Sequence, residues 1–385
     1  MLKINQLYDS ILPIGLRFSA MLAPLVPIFI SVALKNENQL AIILSLLVFY
    51  SQIIRAGVEH EYIERGEVYL FLREFPSIYI YRSIIFFPIL IVYLVLNDIE
   101  FHEIHVMSFF LFSLMSVLSS HFLAADKVIK SNIYLMQFPI WIGSICLLLT
   151  LKTNNFFIGL CLGSIIGIIV SIKSLFEESK KVNTSNKKFI HESFQQYKLS
   201  RRYRIIYSIL LSIYSWVLPI QISLELDNQF IIMIFRVLVV VAIPIILFNA
   251  IYLKSISKTK KNKFKNFYLL NKLNLIYLLM ISVAALFLYF LLPIYEGMPS
   301  KEIILIIFLV LTFNAASSPS NSLLIVNGEV IKVAKLSILI SIIGLCIYLL
   351  FNISFLSLWV LFNFLLSAGV LLMTFRFISL NKDRT

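Results

Sequence analysis

The chain has 385 residues, 60% of them hydrophobic and 14% charged, with a mean hydropathy of +0.92 and a formal net charge of +13. A soluble domain is about half apolar and about a quarter charged, so too little charge remains here to cover a water-facing surface. The bilayer is the expected solvent, and the positive balance is expected from cytoplasmic loops rather than from a nucleic-acid interface.

Apolar runs occur at 11–34, 39–56, 76–96, 104–124, 133–151 and 156–175. They recur at 205–224, 229–252, 268–292, 302–325, 333–351 and 354–376. A helical crossing needs roughly 20 apolar residues, whereas barrel strands would alternate over about ten. The expected fold is an all-α polytopic membrane protein of about twelve transmembrane helices. The polar, basic stretch 176–204 divides it into an N-terminal six-helix bundle, 1–175, and a C-terminal one, 205–385. With the N-terminus inside, twenty-six Lys and Arg fall in inner segments, and only Lys35, Lys152 and Lys301 fall in outer loops. Both termini are therefore expected in the cytoplasm. The lysines of 254–265 read as a solvated inner loop beside the membrane lipids.

Cys146, Cys161 and Cys346 lie in apolar runs and suggest neither a disulfide framework nor a metal. His102 and His105 stand three apart in an outer loop without a clear third ligand. Walker, GxGxxG and GxSxG patterns are absent, so neither ATP hydrolysis nor a cofactor is expected.

Six crossings per half start both halves on the same side, the condition for a parallel repeat about an axis along the membrane normal. Two echoes support it. Leu25-Val26-Pro27-Ile28-Phe29-Ile30-Ser31 matches Val217-Leu218-Pro219-Ile220-Gln221-Ile222-Ser223, with the prolines in the first run of each half. Asp126-Lys127-Val128-Ile129-Lys130 matches Gly328-Glu329-Val330-Ile331-Lys332 at equivalent inner turns. Proline weakens a helix ladder and allows a bend. Runs one and seven are therefore expected to line a central cavity, with Pro27 and Pro219 at their working region.

No carboxylate falls in the middle of a run, but arginines do. Arg17 lies about six residues into run one and Arg236 about seven into run eight, each roughly 9–11 Å deep at about 1.5 Å per residue. Buried charge at such depth usually marks function. A cavity with guanidinium groups and no acid suits an anion, since Arg binds phosphate bidentately and stays charged. Arg55 closes the inner end of run two, with Glu59 one turn away as a potential partner. Arg82 and Lys272, near inner ends, read as snorkelling to water. Tyr50 and Gln52 on run two, and Ser212, Ser215, Trp216 and Gln221 on run seven, are cavity-lining candidates. The polar stretch Asn314–Ser322 of run ten reads rather as helix–helix hydrogen bonding.

Two segments resemble a known family. Arg55-Ala56-Gly57-Val58-Glu59-His60-Glu61-Tyr62-Ile63-Glu64-Arg65 is similar to the Gly-containing, Arg-ending segment after the second helix of Wzx-type O-antigen and capsule flippases. Asn321-Ser322-Leu323-Leu324-Ile325-Val326-Asn327-Gly328-Glu329-Val330-Ile331-Lys332 is similar to their turn between helices ten and eleven. These flippases belong to the multidrug/oligosaccharidyl-lipid/polysaccharide exporter superfamily. The resemblance implies a transporter, not an enzyme, that moves undecaprenyl-diphosphate-linked oligosaccharide between leaflets of a bacterial inner membrane. It implies two bundles that alternate access around a central cavity, with polysaccharide polymerase and chain-length regulator proteins as further partners. Basic residues on helices one, two and eight meet the diphosphate in related lipid flippases, which gives Arg17, Arg55 and Arg236 that role here. A cation-coupled drug exporter of the same fold would want a membrane carboxylate. A membrane polysaccharide polymerase or ligase would want a large outer loop.

Overall fold

The computed structural model describes residues 22–33, 39–56, 68–120, 137–179, 194–228, 230–241, 299–326 and 329–381, with isolated positions between them. Among the described residues every regular element is helical. A hydrocarbon solvent offers the backbone no partners, and a helix satisfies its own groups internally. Among the described residues six helices are long and apolar enough to cross a membrane: Pro76–Leu96, Thr153–Glu177, Ile205–Glu225, Lys301–Asn321, Val330–Phe351 and Phe355–Ser379. Gln39–Arg55, Glu103–Ser119 and Gln137–Thr150 are apolar but shorter. This is the pattern of a polytopic membrane protein. Most of 11–34 before Leu22, the later part of 229–252 and most of 268–292 lie outside the described residues.

The chain divides into two compact units, Met1–Val217 and Leu218–Thr385. The division falls inside the seventh apolar run, later than the basic stretch 176–204.

The first unit contains α1 (Leu25–Ala33), α2 (Gln39–Arg55), α3 (Val68–Leu96), α4 (Glu103–Ser119), α5 (Gln137–Thr150), α6 (Thr153–Ser179) and α7 (Phe194–Ser212). A π-helical turn, Ile213–Val217, follows α7. The α5–α6 hairpin brings backbone against backbone. A Cβ on Gly163 would lie 2.7 Å from the Cα of Pro139, and one on Gly143 would lie 2.8 Å from the carbonyl oxygen of Phe156. Small residues let membrane helices meet backbone to backbone, where dispersion rather than water drives association. On its other side α6 meets α4 through hydroxyls. The Ser108 hydroxyl donates to the Ile104 carbonyl at 2.8 Å and sits 3.2 Å from the Cys161 sulfur, and those of Ser119 and Ser171 are 3.3 Å apart. Ile80, Ile84 and Val92 on α3, and Ile158, Ile165 and Ile169 on α6, remain exposed. Such residues on the outer face of a bundle suit lipid contact.

The second unit contains α8 (Leu218–Glu225), α9 (Phe230–Val241), α10 (Lys301–Val326), α11 (Val330–Phe351) and α12 (Phe355–Asn381). A polar ladder joins α10 to α12. The Asn314 amide donates to the Asn363 side-chain oxygen at 2.9 Å, and the Asn363 amide donates to the Trp359 carbonyl at 2.9 Å. The Ser317 hydroxyl donates to that of Ser367 at 3.1 Å, and Ser367 donates to the Asn314 side-chain oxygen at 3.1 Å. Asn314 and Ser317 thus serve helix–helix bonding rather than an open cavity.

Helix reversals use left-handed residues: Asp98 (φ 51°), Leu151 (φ 57°), Asp227 (φ 44°) and Asn352 (φ 48°). Beyond two of them, the Ile99 N–H bonds to the Leu94 carbonyl at 3.0 Å, and that of Asn228 to the Ser223 carbonyl at 2.9 Å. These bonds satisfy carbonyls that the helix end leaves open. At the start of α11, Glu329 pairs with Lys332 at 2.6 Å. Asp126 and Lys127 of the matching segment lie outside the described residues.

Candidate functional site

The site is built on α2, which packs against α1, α3, α4, α7 and the π-helical turn. Thirteen of its 17 residues are buried. The remaining four are Gln39, at the first position, then Phe49, Gln52 and Arg55. Residues three apart share a helix face, so the last three form one accessible stripe that grows more polar toward the C-terminal end. Gln52 meets α7 there, where its side-chain oxygen accepts from the Ser212 hydroxyl at 3.0 Å. Ser212 also approaches the Ser208 carbonyl at 2.8 Å. Two cavity-lining candidates, Gln52 and Ser212, are therefore brought together.

Tyr50 stands about 200° around α2 from Gln52, at about 100° per residue. It is 1% exposed, with its ring 5.7 Å from that of Phe109 and 6.1 Å from that of Phe87. Its place is in the aromatic core between α2, α3 and α4. Bulk and burial at Tyr50 serve packing, so the accessible polar line passes through Gln52 and Arg55 instead.

Beyond Ser212 the helix widens into the π-helical turn and resumes at Leu218, one residue before Pro219. An α-helix would aim the Pro219 nitrogen at the Ser215 carbonyl, but proline has no N–H and its ring collides with that oxygen. A widened turn relieves the collision, and such turns are frequent at functional sites. Ser215 is exposed, Trp216 and Gln221 are half-buried, and Pro219 is buried. Run one is interrupted in a similar way. Leu22 is helical, Ala23 and Pro24 form a turn, and the helix resumes at Leu25 with Pro27 buried in its first turn. Ala23 and Pro24 are 192 residues before Ser215 and Trp216, the same offset that relates Pro27 to Pro219.

Arg82, read from sequence as snorkelling, does something else. It is 8% exposed, and its Nη1 donates to the carbonyls of Ile54 at 2.6 Å, Ala56 at 2.8 Å and Ile53 at 3.4 Å. Its charge is held on the C-terminal end of α2, where a helix presents open carbonyls and about half a negative charge. Arg82 is six residues from the Pro76 end of the span Pro76–Leu96, roughly 9 Å along the axis at about 1.5 Å per residue. The end of α2, with Arg55, lies level with it. The signal was available in the sequence: Arg82 is as deep in its run as Arg17 is in its own, and a cation at that depth needs acceptors.

Arg55 is half-buried in the last turn of α2. Arg17 and Glu59 lie outside the described residues, Lys272 is exposed, and the structure describes Arg236 by its backbone position on α9 alone. Most described carboxylates sit at helix ends or in turns, as with Glu103, Glu177, Glu225, Glu302 and Glu329, while Glu74 lies within α3 just before the span Pro76–Leu96. Among the described residues no group of three His, Cys, Asp or Glu could hold a metal.

No family model matches the chain, and no curated protein does. Among solved structures it is similar to one named "protein A", at 14% identity and a TM-score of 0.60, over 99% of this chain and 97% of that one. At that identity the likeness is one of fold alone.

Proposed function

We propose that the chain is a flippase for polyprenyl-diphosphate-linked oligosaccharide in a bacterial cytoplasmic membrane. Twelve crossings, as a parallel repeat of two six-helix bundles, would give alternate access to a path lined by helices one, two, seven and eight. Arg17, Arg55 and Arg236 are the diphosphate stations on that path, and Gln52, Ser212, Ser215 and Gln221 face the sugars.

The observation that carries this reading is the single accessible stripe of α2. Phe49, Gln52 and Arg55 form its half-buried line, and an aromatic ring, an amide and a guanidinium suit a lipid-linked sugar diphosphate. The matching interruptions at Ala23–Pro24 and Ile213–Val217 support a repeat whose first helices bend. A cation-coupled exporter finds no membrane-interior carboxylate among the described residues.

The test is complementation of a strain deleted for this gene. Arg17→Ala, Arg55→Ala and Arg236→Ala should each abolish surface polysaccharide while the protein stays at normal membrane levels. Normal polysaccharide with all three variants contradicts the assignment.

A further inference from the structure

A buried histidine sits in the first turn of α4. His105 is 4% exposed, at the helix end that the Lys and Arg distribution puts on the outer side. Its ring packs edge to face on Phe157 of α6, with centroids 4.4 Å apart, and lies 5.5 Å from that of Phe101. Its Nδ1 accepts the backbone N–H of His102 at 3.0 Å. That N–H belongs to the open end of the helix, where no carbonyl of the helix can reach it. A backbone N–H can only donate, so Nδ1 holds a lone pair and the neutral ring carries its proton on Nε2.

Protonation would undo these contacts. Nδ1–H would face the His102 N–H, donor against donor. The new cation would sit against two phenyl rings, and charge buried without an acceptor is costly. A ring face attracts a cation only weakly beside what water offers. Among the described residues no carboxylate pairs with His105. The His102 ring, 5.4 Å away, would add a second positive charge. Asp98, Glu100 and Glu103 are exposed on the same connection, and Lys152 is exposed just before α6. α4 packs on α2, α3 and α6. On α6 the Cys161 thiol faces Ser108, and on α3 the phenol at this end is Tyr93. Tyr50 and Arg55 of α2, and Tyr79, Tyr81 and Arg82 of α3, lie toward the other end.

From this we infer that His105 is an acid-sensitive latch: neutral, it closes the first turn of α4 onto α6, and protonated, it releases that turn. The inference goes beyond the flippase reading and needs only the packing of the first unit. Release stays local, because Phe109 and Phe112, further along α4, are fully buried. The sign follows from linkage. The closed turn excludes the proton and the open turn accepts it, so closure is full above the ordinary imidazole range and is lost as pH falls through it. One proton taken up at about pH 6.5 in the open turn favours opening by about 30-fold between about pH 7.5 and about pH 5.

The test is hydrogen–deuterium exchange of the full chain in lipid nanodiscs, read by mass spectrometry and corrected for the intrinsic effect of pH. Peptides from the first turn of α4 and the start of α6 should lose protection by about 30-fold over that interval. His105→Asn offers an acceptor that does not titrate, so its protection should stay constant. His102→Asn removes the neighbouring imidazole but keeps the backbone N–H, so the pH response should persist. Constant protection in the wild-type protein overturns the inference. A pH response that survives in His105→Asn also overturns it, since another group then titrates, and so does a response abolished by His102→Asn. Should His105→Asn not fold, the wild-type pattern decides. Loss confined to the two contacting ends supports the latch, and loss spread over all of α4 overturns it.

Discussion

Alanine at Gly163 should cost more than alanine at Gly167, although both sit on α6 in the pattern Gly159-x-x-x-Gly163-x-x-x-Gly167. A Cβ at Gly163 would meet the Cα of Pro139 at 2.7 Å, its Cβ at 3.3 Å and the Cδ1 of Ile142 at 3.2 Å. Two of these atoms belong to a proline held in α5, so the hairpin itself must open by roughly 0.7 Å or more to restore ordinary contact. Overpacking of this kind costs about 1–3 kcal/mol, and a gap of 0.5–1 Å forfeits about a quarter to a half of each dispersion contact along the seam. Against that, alanine gains about 1 kcal/mol over glycine in a helix. The net expectation for Gly163→Ala is a loss of about 1–2 kcal/mol. At Gly167 the added carbon meets the Cγ and Sδ of Met115, each at 2.7 Å. Met115 is fully buried, but its unbranched side chain repacks more cheaply than a backbone moves, so part of the helix gain survives and Gly167→Ala stays within about 1 kcal/mol of wild type. The assay is residual monomer after heating, read by size-exclusion chromatography of detergent-solubilised protein. The two variants should melt several degrees apart, on a scale of about 2–4 °C per kcal/mol. Gly143→Ala should follow Gly163→Ala, because its Cβ meets a backbone oxygen. A Gly163→Ala protein as stable as Gly167→Ala would refute the backbone contact between α5 and α6.

Pro219→Ala supplies an N–H for the Ser215 carbonyl and should convert the π-helical turn to α-helix, adding about 1 kcal/mol of stability. If the wide turn bends during transport, surface polysaccharide should fall in the same variant; a stabler protein with normal polysaccharide removes the turn from the mechanism. A double-mutant cycle of Gln52→Leu and Ser212→Ala should give a coupling of about 0.6 kcal/mol, typical of a membrane hydrogen bond, and zero coupling would break the link between α2 and α7. Asn363→Leu removes the acceptor for the Asn314 amide and the donor to the Trp359 carbonyl, and thermal unfolding should report a loss of about 1–3 kcal/mol. A shift near zero would mean that the α10–α12 ladder is re-formed by other groups.

Much of the helix order was legible because a hydrocarbon solvent writes itself into sequence as runs of a set length. The run 76–96 coincides with the span Pro76–Leu96, and 302–325 lies within Lys301–Val326. Helix extensions were harder to see: α3 continues back to Val68 through Arg73 and Glu74, residues that hydropathy assigns to a loop. The partner of Arg82 was also hidden, since its acceptors are backbone carbonyls and every residue has one. Proline pointed to an irregular seventh helix, but whether the ladder kinks, breaks or widens depends on room around the Ser215 carbonyl. The glycines of α6 carry a readable four-residue spacing; which neighbour each one admits, Pro139 or Met115, is a property of the fold.

The crowding of α2 divides its residues into two kinds of freedom. Thirteen positions are committed to neighbours on five sides, and change there is paid in stability. Phe49, Gln52 and Arg55 are half-buried and can vary with less disturbance to packing. On the flippase reading, a library randomised at Phe49 and Gln52, with Arg55 retained, should alter which substrate is moved while leaving how the chain folds intact. On that reading, divergence of substrate needs only a few codons at a time on an unchanged frame.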